Sequence, residues 1–146
     1  MMLSAFFEGI FVDDSIKLRA LDDLRRKRSG NDYFAADADL TSIKTNETSF
    51  VIEGLDAEAI HAAIAAYAVE QKGGTAREIA EMSGVYIIRT PTFRFPNGLS
   101  YWIDEGEDGA ARVSVYSWSV YGLRGYGINR HHVESVAKSL GISPDL

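Results

Sequence analysis

The order of elements along this chain of 146 residues predicts an α+β domain: a curved antiparallel sheet of four to five strands with helices packed on one face. Three observations carry the prediction. The apolar pattern runs strand, helix, several strands, helix. Turn residues, not crossover helices, separate the later strands, so neighbouring strands pair antiparallel. The composition, 46% hydrophobic and 25% charged, suits one ordinary core, and a chain of this size buries roughly 70% of its unfolded surface.

Residues 1–30 read as an N-terminal helical or apolar arm, and residues 31–146 as a single α+β domain. In the arm Ile16, Leu18, Leu21 and Leu24 form a partial apolar stripe that stops at Ser29-Gly30-Asn31, and Arg25-Arg26-Lys27-Arg28 reads as the basic end of a helix. Residues 32–48 are polar and aperiodic, a connecting arm anchored by Tyr33, Phe34, Leu40 and Ile43. Phe50-Val51-Ile52 is a short buried strand, and Asp56 caps a helix whose Ile60, Ala63, Ile64 and Tyr67 share a face. That helix stops near Lys72 at Gly73-Gly74.

Residues 75–82 fit helix or strand, whereas Val85-Tyr86-Ile87-Ile88 is a strand by its β-branched and aromatic content, closed by Pro91. Phe95-Pro96-Asn97-Gly98 reads as a turn before a strand at 99–103, and Asp108-Gly109 reverses the chain into a long strand over 112–121. The last helix, 130–140, puts Val133, Val136, Ala137 and Leu140 on one face and ends at Gly141. This order also occurs in the TATA-box-binding-protein-like and helix-grip architectures, a likeness of fold that carries no function.

A net charge of −6 and a pI near 5.0 argue against a nucleic-acid partner, which needs clustered positive charge. The chain has no cysteine, which excludes disulfides, thiolate nucleophiles and zinc–thiolate sites. The apolar start is interrupted by Glu8 and followed by Asp13-Asp14; it lacks a basic leader and the length to span a bilayer. A cytoplasmic location is therefore expected. Phe6, Phe7, Ile10 and Phe11 are expected to form a homodimer contact, with a membrane-surface anchor the less favoured use.

The unusual local chemistry lies at 116–134, where an aromatic strand breaks at Gly122, Gly125 and Gly127 and enters a helix. Free amides at a helix start attract anions, and Arg124 and Arg130 flank them, although neither a Walker loop nor a dinucleotide fingerprint is present. The candidate ligand-binding residues are Ser117, Ser119, Arg124, Gly127, Asn129, Arg130 and His132, with Asn129 also expected to cap the helix. No catalytic set is complete: nothing orients His131 or His132 as a base for Ser117 or Ser119, and no nucleophile elbow presents either serine. Adjacent His131 and His132 point about 100° apart on a helix and do not chelate one ion, so neither metal nor cofactor is expected. Tyr86, Tyr101, Trp102, Tyr116 and Trp118 recur on strands, as core or as the lining of a cleft on the sheet. By alternation Tyr116 and Trp118 share one face with Ser114, and Val113 and Val115 share the other with Ser117 and Ser119, so both faces need cover.

With Ser117, Ser119, Gly122, Gly127, Asn129 and Val133 at matching positions, the chain resembles the bacterial and plastid domain-of-unknown-function family numbered 1499. That family's signature is Ser-x-Ala/Ser-x-x-Gly-x-x-Asp-x-Gly-x-Asn-x-x-Arg-Val/Ile. Thr92-Phe93-Arg94-Phe95-Pro96-Asn97 is similar to its Arg-Phe-Pro-Asp element and Asn31-Asp32-Tyr33 to the start of its domain, so the likeness covers about residues 30–140. The chain departs from the pattern where Gly125 replaces an aspartate, His132 an arginine, and Trp118 and Val120 an arginine-rich strand end. The resemblance carries no activity. The sequence thus points to a non-catalytic ligand-binding or protein-interaction module; the alternative is a small hydrolase, or a phosphate or carboxylate binder, built around residues 117–132.

Overall fold

A computed structural model describes residues 16–121 and 127–142. The expected dimer residues Phe6, Phe7, Ile10 and Phe11, and the turn residues Gly122, Arg124 and Gly125, lie outside the described residues.

Six antiparallel strands form one sheet: β1 (Asp32–Ala35), β2 (Phe50–Glu53), β3 (Thr75–Ile79), β4 (Ser83–Arg89), β5 (Pro96–Glu105) and β6 (Ala110–Ser119). Their order is β1-β6-β5-β4-β3, and β2 shares the edge of β6 with β1. The ten-residue β6 makes this possible: Ala110 to Val113 pair with β2, and Val115 to Trp118 pair with β1. The sheet therefore exceeds the four to five strands expected, because residues 32–35 pair as a strand where a polar connection was predicted. Aperiodic polarity hid β1, whose Asp32 and Phe34 face one side and whose Tyr33 and Ala35 face the other.

Helix α1 (Ala57–Ala65) starts as predicted, with the Asp56 carboxylate accepting from the Ala59 amide at 2.8 Å. It widens into a π-turn over Ala66–Gln71, closed by Lys72 N–H on Tyr67 O, and this turn buries Tyr67 and Ala68. Helix α2 (Ile128–Ser139) packs beside it. Ile60, Ile64, Val133 and Val136 of the two helices meet Ile52, Tyr101, Val113 and Val115 of the sheet in one core. Each such side chain, fully buried, contributes roughly 1.5–3 kcal/mol.

The opposite sheet face is covered by the segment before β1. The expected helix is not found over residues 16–30, which run as coil and turns. Ile16 packs with Val85 and Ile87, and Leu24 with Phe34 and Tyr116. The carbonyls that a helix would use internally go to the sheet and its margin instead: Trp102 Nε1–H donates to Arg19 O and Thr41 Oγ1–H to Leu21 O, and the Tyr116 hydroxyl lies 3.2 Å from Arg25 O. Apolar spacing alone does not separate an amphipathic helix from an extended arm laid over aromatics.

A second correction concerns the β4–β5 hairpin. Pro96, Asn97 and Gly98 are not the turn but the first residues of β5, paired with Arg89, Ile88 and Ile87. The reversal lies at 90–95, where Thr92 and Arg94 adopt left-handed φ values of 68° and 60°. Proline is tolerated at a strand's first residue. Gly98 is required because the Trp118 indole crosses directly over it.

Candidate functional site: a cationic aromatic cleft

The residues predicted to form a ligand site come together, but as a buried brace. Ser117 Oγ–H donates to Asn129 Oδ1 at 2.7 Å. The Asn129 amide nitrogen donates to Asn31 O, Asn31 Oδ1 and Ser119 Oγ at 3.0, 2.9 and 3.1 Å. Ser117, Ser119, Asn31 and Asn129 are all buried. Asn129 thus lies inside α2 and ties it to β6 and to the start of β1. It is not the helix cap; that position is Gly127, with φ 81° and no side-chain cap bond.

His132 is also buried, with Nδ1 2.6 Å from the Tyr67 hydroxyl. Burial, with smaller contributions from His131 and Lys72, lowers its pKa to about 4, so the ring is neutral at pH 7 and shares one hydrogen bond with the phenol. Each serine pairs with an amide, not an imidazole. Arg130 is exposed and pairs with Glu134 at 3.0 Å while lying 5.9 Å from the Tyr33 ring centroid, so its charge is already engaged. Only Gly127 and Arg130 of the described candidates reach the surface.

The half-buried His61 makes a second phenol contact. Its Nε2 meets the Glu81 carbonyl at 2.8 Å, which only an N–H can do, and its Nδ1 lies 2.5 Å from the Tyr101 hydroxyl. Among the described residues no group of three or more His, Cys, Asp or Glu is placed to hold a metal ion.

The open site lies on the other face. Between the arm and the outer surface of β5 and β6 is a cleft of about 630 Å³, the size of a small-molecule site. Trp102, Tyr116 and Trp118 form its floor, with Tyr116 and Trp118 stacked at 5.0 Å and inclined by 15°. Phe34 packs edge-on against both Tyr116 and Trp102 beneath them. The two tryptophans are the chain's only ones. Strand alternation placed Tyr116 and Trp118 together; Tyr86 and Tyr101, grouped with them in the sequence, point into the helix-side core.

The walls carry Lys17, Arg19, Arg25, Arg26, Lys27 and Arg28, and no Asp or Glu among the described residues lines the cleft. Behind the floor, the side chain of Asp32 is 1% exposed and engages Arg26, with Nε on Oδ2 at 2.8 Å and Nη2 on Oδ1 at 2.9 Å. Asp32 Oδ2 also accepts from the Lys27 amide and the Tyr116 hydroxyl. Burial alone raises the Asp32 pKa, but Arg26, the Lys27 amide and Tyr116 outweigh it and hold the carboxyl below its usual range. The Tyr116 phenol is pushed up, by burial first and then by Asp32. Arg26 is thereby neutralised, whereas Lys17, Arg19, Arg25, Lys27 and Arg28 pair with no described carboxylate.

Five cations around one cleft that pair with no carboxylate among the described residues, in a chain of net charge −6, make a strongly polarised surface. Sequence reading saw Arg25 to Arg28 but placed them at a helix end. The signal it lacked was the long-range packing that sets this run above Trp102 and Trp118. No protein-family model matches the chain, and no curated protein matches it.

Proposed function

We propose that the protein is a non-catalytic ligand-binding module whose site is the cleft between the arm and the aromatic sheet face, and that its ligand joins an anionic group to a flat apolar portion. The observation that carries this reading is the ring of five cations with no carboxylate partner among the described residues, above a stacked Tyr116–Trp118 floor. Anions gain from the cations, and planar groups gain from the aromatic faces. The hydrolase alternative loses its support because Ser117 is committed to Asn129 and His132 to Tyr67. The similarity to the family numbered 1499 is consistent with this reading: Ser117, Ser119 and Asn129 of the signature act as a brace and require no chemistry. A curl of the sheet around α2, as in the TATA-box-binding-protein-like and helix-grip architectures, and a homodimer through Phe6, Phe7, Ile10 and Phe11 belong to the same proposal; light scattering tests the latter.

Because both tryptophans line the cleft, intrinsic fluorescence tests the reading directly. Titration with 8-anilinonaphthalene-1-sulfonate should quench Trp102 and Trp118 saturably, and Arg25→Glu with Arg28→Glu should weaken binding about tenfold or more. Equal quenching in the charge-reversed protein, or none in the wild type, would refute it.

A further inference from the structure

The floor of the cleft offers a flat ring face and a buried hydroxyl side by side. A Cβ placed on Gly98 would stand 2.2, 2.4 and 2.4 Å from Cζ2, Cε2 and Cη2 of Trp118, three consecutive ring atoms at nearly one distance. An indole meeting the backbone by its edge would hold the two outer atoms well beyond the middle one. The ring therefore lies face-down on β5, and its opposite face is turned away from the strand. Tyr116, inclined to it by 15°, extends the same flat surface. On β5, Ser100 shares a face with Gly98 and Trp102 and stands directly across from Tyr116. It lines the cleft at 3% exposure, and its hydroxyl has no hydrogen-bond partner among the described residues. A hydroxyl at that depth is a bonding point that a ring with polar edge atoms uses and a hydrocarbon ring leaves unpaired.

We propose that the cleft binds a purine nucleotide, with the base stacked on the outward face of Trp118, the Ser100 hydroxyl on a polar edge of the base, and the phosphates among Arg25, Lys27 and Arg28. The inference rests on the reading of the cleft as a site for a flat anion, and it names the ligand class. A two-ring heterocycle matches the indole in area, and bases gain from stacking on aromatic side chains. A multivalent phosphate, more than a single carboxylate, answers five cations with no described carboxylate partner, and the arginine fork fits phosphate oxygens. The cleft, about 630 Å³, has room for a mononucleotide. Side chains hold the phosphate here, so neither a Walker loop nor a dinucleotide fingerprint is needed.

Displacement of 8-anilinonaphthalene-1-sulfonate from the full chain tests the proposal, with adenosine 5′-diphosphate, adenosine and inorganic pyrophosphate as probes. The nucleotide should displace the dye saturably, whereas adenosine and pyrophosphate, each keeping part of the contacts, should bind weaker by about tenfold or more. By calorimetry, Trp118→Leu should weaken nucleotide binding about tenfold and Ser100→Ala about threefold, with pyrophosphate binding unchanged in both. Retained pyrophosphate binding shows that the cleft is intact; if Trp118→Leu loses it, Ser100→Ala decides. Arg25→Glu with Arg28→Glu should lose nucleotide and pyrophosphate alike. Unchanged nucleotide affinity in Ser100→Ala or in Trp118→Leu overturns the inference, as does pyrophosphate or adenosine binding as tightly as the nucleotide. Dye that binds but is not displaced by the nucleotide overturns it too and leaves a cleft for other flat anions; binding of neither dye nor nucleotide to the wild type overturns the cleft reading as well.

Discussion

Gly98 of β5 and Trp118 of β6 are direct cross-strand partners, and a Cβ built on Gly98 would stand 2.2 Å from Cζ2 of the indole. The ring that floors the cleft therefore lies in the space left by the missing side chain. Gly98→Ala should force Trp118 off its seat, lower stability by about 1–3 kcal/mol and shift tryptophan emission. Urea denaturation and emission spectra in a Trp102→Phe background check this; an unchanged spectrum in the alanine variant contradicts the packing.

Asn129 holds three parts of the chain with one amide. Asn129→Ala should cost about 3 kcal/mol, since Ser117, Ser119 and Asn31 lose a partner while remaining buried. A denaturation midpoint within error of wild type would show that water replaces the amide. Dye binding at the cleft should persist under native conditions, which separates this brace from the site.

His132 gives the stability a pH dependence of definite sign. Its pKa is about 4 folded and near 6.5 unfolded, so between those values the unfolded chain binds more protons. Its contribution is complete above about pH 6.5 and falls progressively toward pH 4, by up to about 3 kcal/mol. In His132→Gln the slope of stability against pH in that window should flatten, as thermal melts across it will reveal. An identical slope in the two proteins assigns the titration elsewhere.

Asp32 acts lower on the pH scale. Its folded pKa is depressed, so its stabilising contribution is present above the unfolded carboxylate value near 3.9 and is lost as pH falls through the folded value. Asp32→Asn leaves Arg26 without its carboxylate and should cost about 3 kcal/mol at neutral pH. The loss should concentrate in the arm, because Arg26 also holds Lys44 O and Asn46 Oδ1. Faster proteolysis within residues 16–31 and weaker dye binding are the expected readouts. Uniform cleavage along the chain would show that the pair stabilises the whole domain and not the arm.

Local signals were legible where a few neighbouring residues decide the outcome. Asp56 caps α1, Gly109 and Gly141 take positive φ, and the alternation along β6 separates Val113 and Val115 from Tyr116 and Trp118. Where partners are distant in sequence the reading failed. The short β1 has no pattern of its own and exists because β6 offers it an edge. Phe95 to Gly98 carries turn residues, yet Gly98 is set by an indole twenty residues later.

By itself, then, the sequence determined the α+β class, the antiparallel pairing, both helices and the need to cover two sheet faces, because periodicity, caps and hairpin turns depend on neighbours a few residues apart. Only the tertiary structure decided which polar groups are open. It buried Ser117, Ser119, Asn129 and His132, and it laid Arg25 to Arg28 over Trp102 and Trp118. Burial and charge pairing depend on contacts across more than eighty residues, such as Arg19 with Trp102, and no local pattern encodes them.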